Sequence, residues 1–368
     1  MVDWTGIILA GGLGKRLRPL TGDRPKPLVP VVGKPMIVYA IDLLRYAGVQ
    51  NIIVIVKYMG DQIREFLLHQ DFGVNIEIPE VDPLDTANAV QQVADYVKTE
   101  YLVVSMADII TNIHMAEYLD FKIKKGGIGA ISLVSTDIPS RFGVVNTDQN
   151  YKIHSFLEKP ESIELYFSSM ISNHNIYLHQ NLINTGIYAF HREIFEILER
   201  TNLMDFGKDV FPYLLENDYE LYGYIARYYW QDVGNPKYYK YTNWDVLRKW
   251  IWPIVPPGEE VRDYIWIGQN SLVSDLGKIH QYVSIGNDSY LGNDVYIESL
   301  TSLGNHVTVG QNTRIKESII WDDVQIGENC QIIGSIICNN VQIGDNVIIK
   351  PNTIVISNSK VNTKMKVL

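Results

Sequence analysis

From Ile267 onward an aliphatic residue returns at every sixth position: Ile267, Val273, Ile279, Ile285, Leu291, Ile297, Leu303, Val309 and Ile315. A step of five leads to Ile320, Ile326 and Ile332, and a second step of five to Ile337, Ile343, Ile349, Val355 and Val361. An amphipathic helix needs a period of about 3.6 and a lone strand a period of about 2, so neither accounts for this spacing. A six-residue period marks a parallel β-helix, in which each aliphatic points into a prism and short strands meet at corners. Many of these aliphatics precede a glycine and then Asn, Asp or Glu, as in Ile285-Gly286-Asn287, Ile326-Gly327-Glu328 and Ile343-Gly344-Asp345. The glycine-rich corners are expected to turn the chain. Such a coil has flanks and ends to cover, so contacts between copies or packing on the rest of the chain are its expected work.

Before about Trp244 the rule changes. Gly6 to Ala10, Asn51 to Val56, Tyr101 to Ser105 and Ala130 to Val134 read as strands, and Met36 to Ala47 has helical spacing. Alternating strands and helices predict a mostly parallel, doubly wound, Rossmann-like α/β sheet, with ligands beyond the carboxyl ends of its strands. Trp250 to Pro257, with Pro253, Pro256 and Pro257, reads as a linker. The expected division is an α/β domain over 1–245, a linker over 246–264 and a β-helix over 265–368.

A formal charge of −10, from 42 acidic and 32 basic residues, argues against nucleic acid or an anionic membrane as the main partner. It leaves room for a small cationic pocket. No apolar run approaches the length of a membrane span and Met1 to Trp4 lacks a basic leader, so a cytoplasmic location is expected. Cys330 and Cys338 are expected to be small packed residues, and His280 and His306 surface or corner residues.

The first strand runs into Gly11-Gly12-Leu13-Gly14-Lys15-Arg16-Leu17-Arg18-Pro19-Leu20-Thr21. Glycines let backbone N–H groups approach a polyphosphate, and the basic residues supply countercharge. The spacing fits neither a Walker loop nor the dinucleotide fingerprint. Pro25-Lys26-Pro27-Leu28-Val29-Pro30-Val31 follows. Together these segments resemble the signature region of sugar-1-phosphate nucleotidylyltransferases, especially the mannose-1-phosphate guanylyltransferase branch. The repeats resemble the left-handed β-helix of hexapeptide-repeat proteins.

The resemblance implies site residues. Leu9, Ala10, Gly11, Gly12 and Gly14, with Asp85, Thr86 and Asn88, correspond to nucleotide-binding positions. Arg16 and Lys26 correspond to phosphate contacts and Asp108 and Asp232 to Mg²⁺ ligands. In Glu158-Lys159-Pro160, Glu158 would hold sugar hydroxyls and Lys159 the sugar phosphate, with Gly143, Asn184 and Gly186 on the sugar side. The implied reaction joins a nucleoside triphosphate to a sugar 1-phosphate, GTP and mannose 1-phosphate first among the pairs. UTP or dTTP with glucose 1-phosphate is the alternative pairing.

One stretch departs from the family pattern. Where a Leu-Gly-Thr-Ala-Gly type of loop is usual, the chain reads Leu84-Asp85-Thr86-Ala87-Asn88. Either Asp85 accepts hydrogen bonds from guanine, or the loop is degraded and the protein is a regulator that binds nucleotide sugars. That second case resembles the sensor paralogues of guanylyltransferases and the related subunits of a translation-factor exchange complex. Acetyl transfer by the β-helix is a third reading. The expected partners are small-molecule substrates and further copies of the chain.

Overall fold

The computed structural model describes residues 2–161, 181–225 and 227–362. Residues 1, 162–180 and 226 of the expected 1–245 span and residues 363–368 of the expected 265–368 span therefore lie outside the described residues. Contacts gather the chain into two compact units: Met1–Leu13 with Ile37–Trp230, and Gly14–Met36 with Gln231–Leu368.

The first unit is built on a nine-stranded sheet. Its path runs Ile153–Glu158, Gly143–Thr147, Leu182–His191, Tyr101–Met106, Trp4–Ala10, Asn51–Val56 and Asn75–Glu77. The last four are parallel neighbours, because helices such as Met36–Tyr46 and Gly60–Leu68 return the chain to the same edge. Beyond Tyr101–Met106 the expected mostly parallel sheet becomes mixed. Leu182–His191 runs antiparallel to Tyr101–Met106, to Gly129–Ser135 and to Gly143–Thr147. Gly143–Thr147 and Ile153–Glu158 are joined through the short turn at Asp148, which permits only an antiparallel pair. The core is continuous from Ile7, Val104 and Ile131 to Phe190, Phe206 and Phe211. Phe190 stacks on Phe206 with centroids 5.4 Å apart. Each fully buried side chain of this size contributes about 1.5–3 kcal/mol.

In the second unit the hexads form the left-handed parallel β-helix. Its short strands stack into three sheets, of seven, six and four strands. Ile285 pairs with Leu303, 18 residues on, whereas Leu303 pairs with Ile320 and Ile320 with Ile337, 17 residues on in each case. The two short rungs contain the two five-residue steps. From Ile279 to Val361 every hexad aliphatic is buried; Ile267 and Val273, in the first rung, are half-buried. Glu259–Arg262 folds back antiparallel on Ile265–Ile267 and pairs the outer edge of that rung.

The corners work differently from the sequence expectation. At the six-residue corners the turning residue is not the glycine. Asp288, Asp294, His306, Asn312, Asp323, Asn329, Asn340, Asn346, Asn352 and Asn358 take the left-handed conformation, with φ between 53° and 68°. Asn and Asp are the side-chain-bearing residues that adopt it most readily. The glycines before them, such as Gly310, answer a packing demand: a Cβ there would lie 2.6 Å from the Gly327 carbonyl carbon of the next rung. At both five-residue steps the corner is one residue shorter, with Glu317 (φ 50°) and Gly334 (φ 58°) turning the chain.

The same unit holds the segment 14–36. Val32 and Gly33 form the two-residue turn between Pro30–Val31 and Lys34–Pro35, with φ of 46° and 75°. A β-branched residue in that conformation costs about 1–3 kcal/mol. The helix Pro236–Leu247 offsets the strain: Asn243 Oδ1 accepts the Val32 N–H at 2.8 Å and Tyr239 Oη donates to the Pro30 carbonyl at 2.6 Å. That helix starts on Asn235, whose Oδ1 accepts from the N–H groups of Lys237 and Tyr238. Both cysteines are buried and unbridged, and burial raises the pKa of each thiol. His280 is exposed, and His306 is an exposed corner residue beside Asp323.

Candidate active site

In the second unit, residues far apart in sequence converge on one carboxylate. Gly14 ends the glycine-rich turn with φ 59°, packed so tightly that a Cβ would lie 3.1 Å from Lys26 Cβ and from Thr21 Cγ2. Thr21 Oγ1 donates to the Gly14 carbonyl at 3.0 Å, which fixes the turn. Lys26, only 8% exposed, sets its Nζ 3.4 Å from Asp232 Oδ1. Arg16 Nη2 lies 3.7 Å from Asp232 Oδ2, with its side chain largely in solvent. Gly234 keeps this space clear, since a Cβ would come 3.3 Å from Asp232 Oδ2 and 3.4 Å from Arg16 Nη2. The two ion pairs are long. The Lys26 contact is also a long hydrogen bond, and together the two place the carboxylate between two cations.

The first unit supplies the remaining candidates. Leu9 and Ala10 end the first strand, with Leu9 in register with Met106 of the neighbouring parallel strand. Ala107 N donates to the Leu9 carbonyl at 3.0 Å, and half-buried Asp108 follows in the turn to Ile109–Thr111. Gly11 is partly exposed, and around Gly12 an added Cβ would meet nothing within 4 Å. The strand Leu182–His191 bulges between Asn184 and Tyr188. There Gly186, with φ 79°, donates to Asn184 Oδ1 at 2.8 Å and sits so close to Met106 and Ile109 that a Cβ would approach within 3.1 Å of both. The bulge thus brings Asn184 and Gly186 beside the Asp108 turn.

Glu158 ends its strand opposite Gly143, and its Oε1 pairs with Lys159 Nζ at 2.8 Å. Lys159 has φ 47°, an uncommon conformation for a lysine, and its amine is mostly exposed. A Cβ at Gly143 would lie 3.0 Å from Glu158 Oε2, and one at Gly207 would lie 2.7 Å from the same oxygen. The loop with Asp85 closes on the same region. Asp85 Oδ1 accepts the Thr86 N–H at 2.8 Å and caps the helix Thr86–Gln91. Thr86 Oγ1 donates to Asp205 Oδ2 at 3.0 Å and accepts from Phe206 N. Asn88 Oδ1 accepts from Leu84 N and from Gln92 Nε2, so this oxygen serves the loop itself. Partial burial, together with the neighbouring Asp205 carboxylate, holds the Asp85 pKa above the ordinary aspartate value of 3.8, against the lowering effect of the Thr86 N–H.

A family model described as Nucleotidyl transferase spans residues 5–249, and one described as the EIF2B subunit epsilon LbH domain spans residues 262–367. The chain belongs to the nucleotidyl transferase family. Bifunctional protein GlmU of Methanocaldococcus jannaschii is 34% identical over 245 residues, 66% of this chain and 52% of that protein. Mannose-1-phosphate guanyltransferase of Saccharomyces cerevisiae is 34% identical over 239 residues, 63% of this chain and 62% of that protein. The chain therefore spans between about half and two thirds of the length of these curated relatives. Among solved structures, a Bacillus anthracis chain assigned as a glucose-1-phosphate thymidylyltransferase, in complex with sucrose, aligns with a TM-score of 0.55 and 27% identity. The match covers 66% of this chain and 94% of that one.

Within this nucleotidyl transferase, Arg16, Lys26 and Asp232 form one cluster. Gly143 and Glu158 face each other across one strand pair, and Asn184 and Gly186 lie at the bulge beside the Asp108 turn. Asp85, Thr86 and Asn88 are tied to residues 204–206. Asp205 and Gly207 were not among the sequence candidates. Their signal was Asp205-Phe206-Gly207-Lys208-Asp209, a polar run with a glycine set between apolar segments. It folds into a π-helical turn, Phe206–Val210, a rare form that often marks a functional site. Among the described residues no group of three or more His, Cys, Asp or Glu is placed to hold a metal ion. No helix among them is long and apolar enough to cross a membrane.

Proposed function

We propose that the protein transfers a nucleotidyl group from a nucleoside triphosphate to a sugar 1-phosphate, releasing pyrophosphate, with GTP and mannose 1-phosphate as its substrates. The Arg16–Lys26–Asp232 cluster carries this reading, because it sets two cations, one buried and one exposed, and a hard oxygen donor where the glycine-rich turn ends. The attacking phosphate oxygen is already ionised and needs no general base. What the reaction demands is the approach of two polyanions, so positioning and charge neutralisation dominate. Lys26, held in place by burial, and Arg16, free to follow the departing group, would stabilise the pyrophosphate. Lys159 would hold the attacking phosphate, and Glu158 and Asn184 the sugar hydroxyls.

Asp108 and Asp232 are each proposed as a ligand to Mg²⁺, which when bound would neutralise phosphate charge. Carboxylates without a complete protein cage suit that ion, which keeps phosphate oxygens and waters in its shell. Mannose and GTP rest on the name of the yeast relative and on the Pro25-Lys26-Pro27 motif; the Bacillus chain favours dTTP and glucose 1-phosphate. The division at 1–245, 246–264 and 265–368, the cytoplasmic location and association of copies through the β-helix belong to the same reading.

A second reading, a regulator that binds nucleotide sugars, is favoured by the match of residues 262–367 and by the Asp85 carboxyl group facing Asp205. One experiment separates them: the purified protein with Mg²⁺ and each pairing of GTP, UTP, dTTP, ATP and CTP with mannose, glucose and N-acetylglucosamine 1-phosphates. Pyrophosphate release is expected first with GTP and mannose 1-phosphate. Nucleotide-sugar binding without release from any pair would favour the regulator.

A further inference from the structure

After each of the six parallel strands of the seven-stranded sheet of the β-helix comes one corner residue, and the column reads Gly268, Gly286, Gly304, Trp321, Cys338 and Ile356. Trp321 occupies the backbone position of a rung glycine: Gly304 N donates to the Ile320 carbonyl, and Trp321 N to the Ile337 carbonyl. Its indole is no part of the apolar core of the prism, yet it is only 2% exposed. Its cover comes from residues around Lys26 and from the helix Pro236–Leu247. The Arg24 guanidinium lies over the indole, 4.6 Å from the ring centroid. Tyr239 meets it edge-on, at 83°. The indole Nε1–H donates to Tyr239 Oη at 2.8 Å, and that hydroxyl donates onward to the Pro30 carbonyl. One residue before Arg24, Asp23 hydrogen-bonds Ser357, in the corner of the last rung of the same sheet.

These contacts lie on both sides of Lys26, two residues before it and four residues after it. We propose that Trp321 is a positioning residue for Lys26, fixing the segment 23–32 against the β-helix by the Arg24 stack on one side and the Tyr239 relay to Pro30 on the other. The proposal rests on the nucleotidyl-transfer reading for what Lys26 does. Packing alone does not explain a tryptophan here. A phenylalanine or leucine would fill space, but neither donates to Tyr239, and an aliphatic offers no face to a guanidinium. The segment needs an outside hold, since Val32 has φ 46° and its N–H is taken by a side chain, not by a strand.

The test compares Trp321→Leu, Trp321→Phe and Arg24→Leu in the full chain, with and without Lys26→Ala. Trp321→Leu is expected to lower kcat on the order of 10–10²-fold, as a misplaced charge does, with smaller changes in KM. Trp321→Phe keeps the stack and loses less. In the Lys26→Ala background the further loss should shrink to within about twofold, because the residue acts through Lys26. An equal loss in both backgrounds would overturn the proposal. Hydrogen exchange gives a readout that does not depend on turnover. Amides of residues 23–32, Val29 and Val32 above all, should lose protection in Trp321→Leu and Arg24→Leu while those of the hexad strands keep theirs. Unchanged protection would overturn the proposal even in an active enzyme. If the wild-type protein turns over no substrate pair, the nucleotidyl-transfer reading fails and exchange alone decides the positioning role. If Trp321→Leu does not fold, Arg24→Leu, at a partly exposed site, carries both measurements.

Discussion

Glycine does different work in the two parts of this molecule. In the β-helix, Gly310 and its counterparts have ordinary backbone angles, and they are glycine because the next rung leaves no room for a Cβ. Among the candidate site residues, Gly14 and Gly186 have positive φ, and Gly12 faces open space. Rung glycines serve the coil; site glycines serve a bend, or a ligand that needs the backbone. The contrast extends to charge. Along the repeats, Asn and Asp turn corners, whereas in the other elements the departures from regularity (a bulge at Asn184, a left-handed lysine at 159, a buried lysine at 26) are where the candidate chemistry collects. Regular spacing specifies the fold, and broken spacing marks the site.

The largest effect that would sharpen this contrast is at Lys159. Lys159→Ala is expected to reduce turnover on the order of 10²–10³-fold, as loss of one preorganised charge does, with little change in thermal stability because the amine is mostly exposed. Steady-state kinetics beside a melting curve would show it, and near-normal turnover would remove Lys159 from the site. Gly310→Ala should do the reverse: a loss of about 1–3 kcal/mol of stability from overpacking between rungs, with activity per folded molecule retained. Denaturant unfolding followed with an activity assay on the folded fraction tests that.

Gly12→Ala is expected to leave stability within about 0.5 kcal/mol of wild type, since nothing stands near the added methyl. It should nevertheless weaken nucleotide binding, measured by calorimetry. Unchanged affinity would mean that the open space at Gly12 serves no ligand. The smallest effect concerns Asp85. Its raised pKa means that the folded state favours the protonated form, so the associated stability is present below about pH 3.8 and is lost as pH rises through the folded value. Asp85→Asn should therefore raise the melting temperature slightly at pH 7 and not at pH 3. A constant difference across that range would break the proposed link to Asp205.

Much of the fold was legible because a period is a geometric statement. Each hexad aliphatic from Ile279 to Val361 is buried as its spacing demands. The reason for each glycine was not legible, because close approach and positive φ leave the same letter in the sequence. At most corners the left-handed residue proved to be Asn or Asp, two positions further on. The mixed part of the sheet was hidden for another reason: whether Gly143–Thr147 pairs parallel or antiparallel depends on a short turn and not on its own composition. The proposed site residues were named in order from their motifs, but Asp205 and Gly207 were missed. They reach the Thr86 loop and Glu158 only through the fold, Asp205 across 119 residues.

The most direct test measures pyrophosphate and GDP-mannose together, from GTP, mannose 1-phosphate and Mg²⁺, for wild-type protein beside Lys26→Ala. The account predicts equimolar products from the wild type and a loss on the order of 10²–10³-fold in the variant, with both proteins folded. No pyrophosphate from the wild type, together with GDP-mannose binding that Lys26→Ala leaves unchanged, would contradict it.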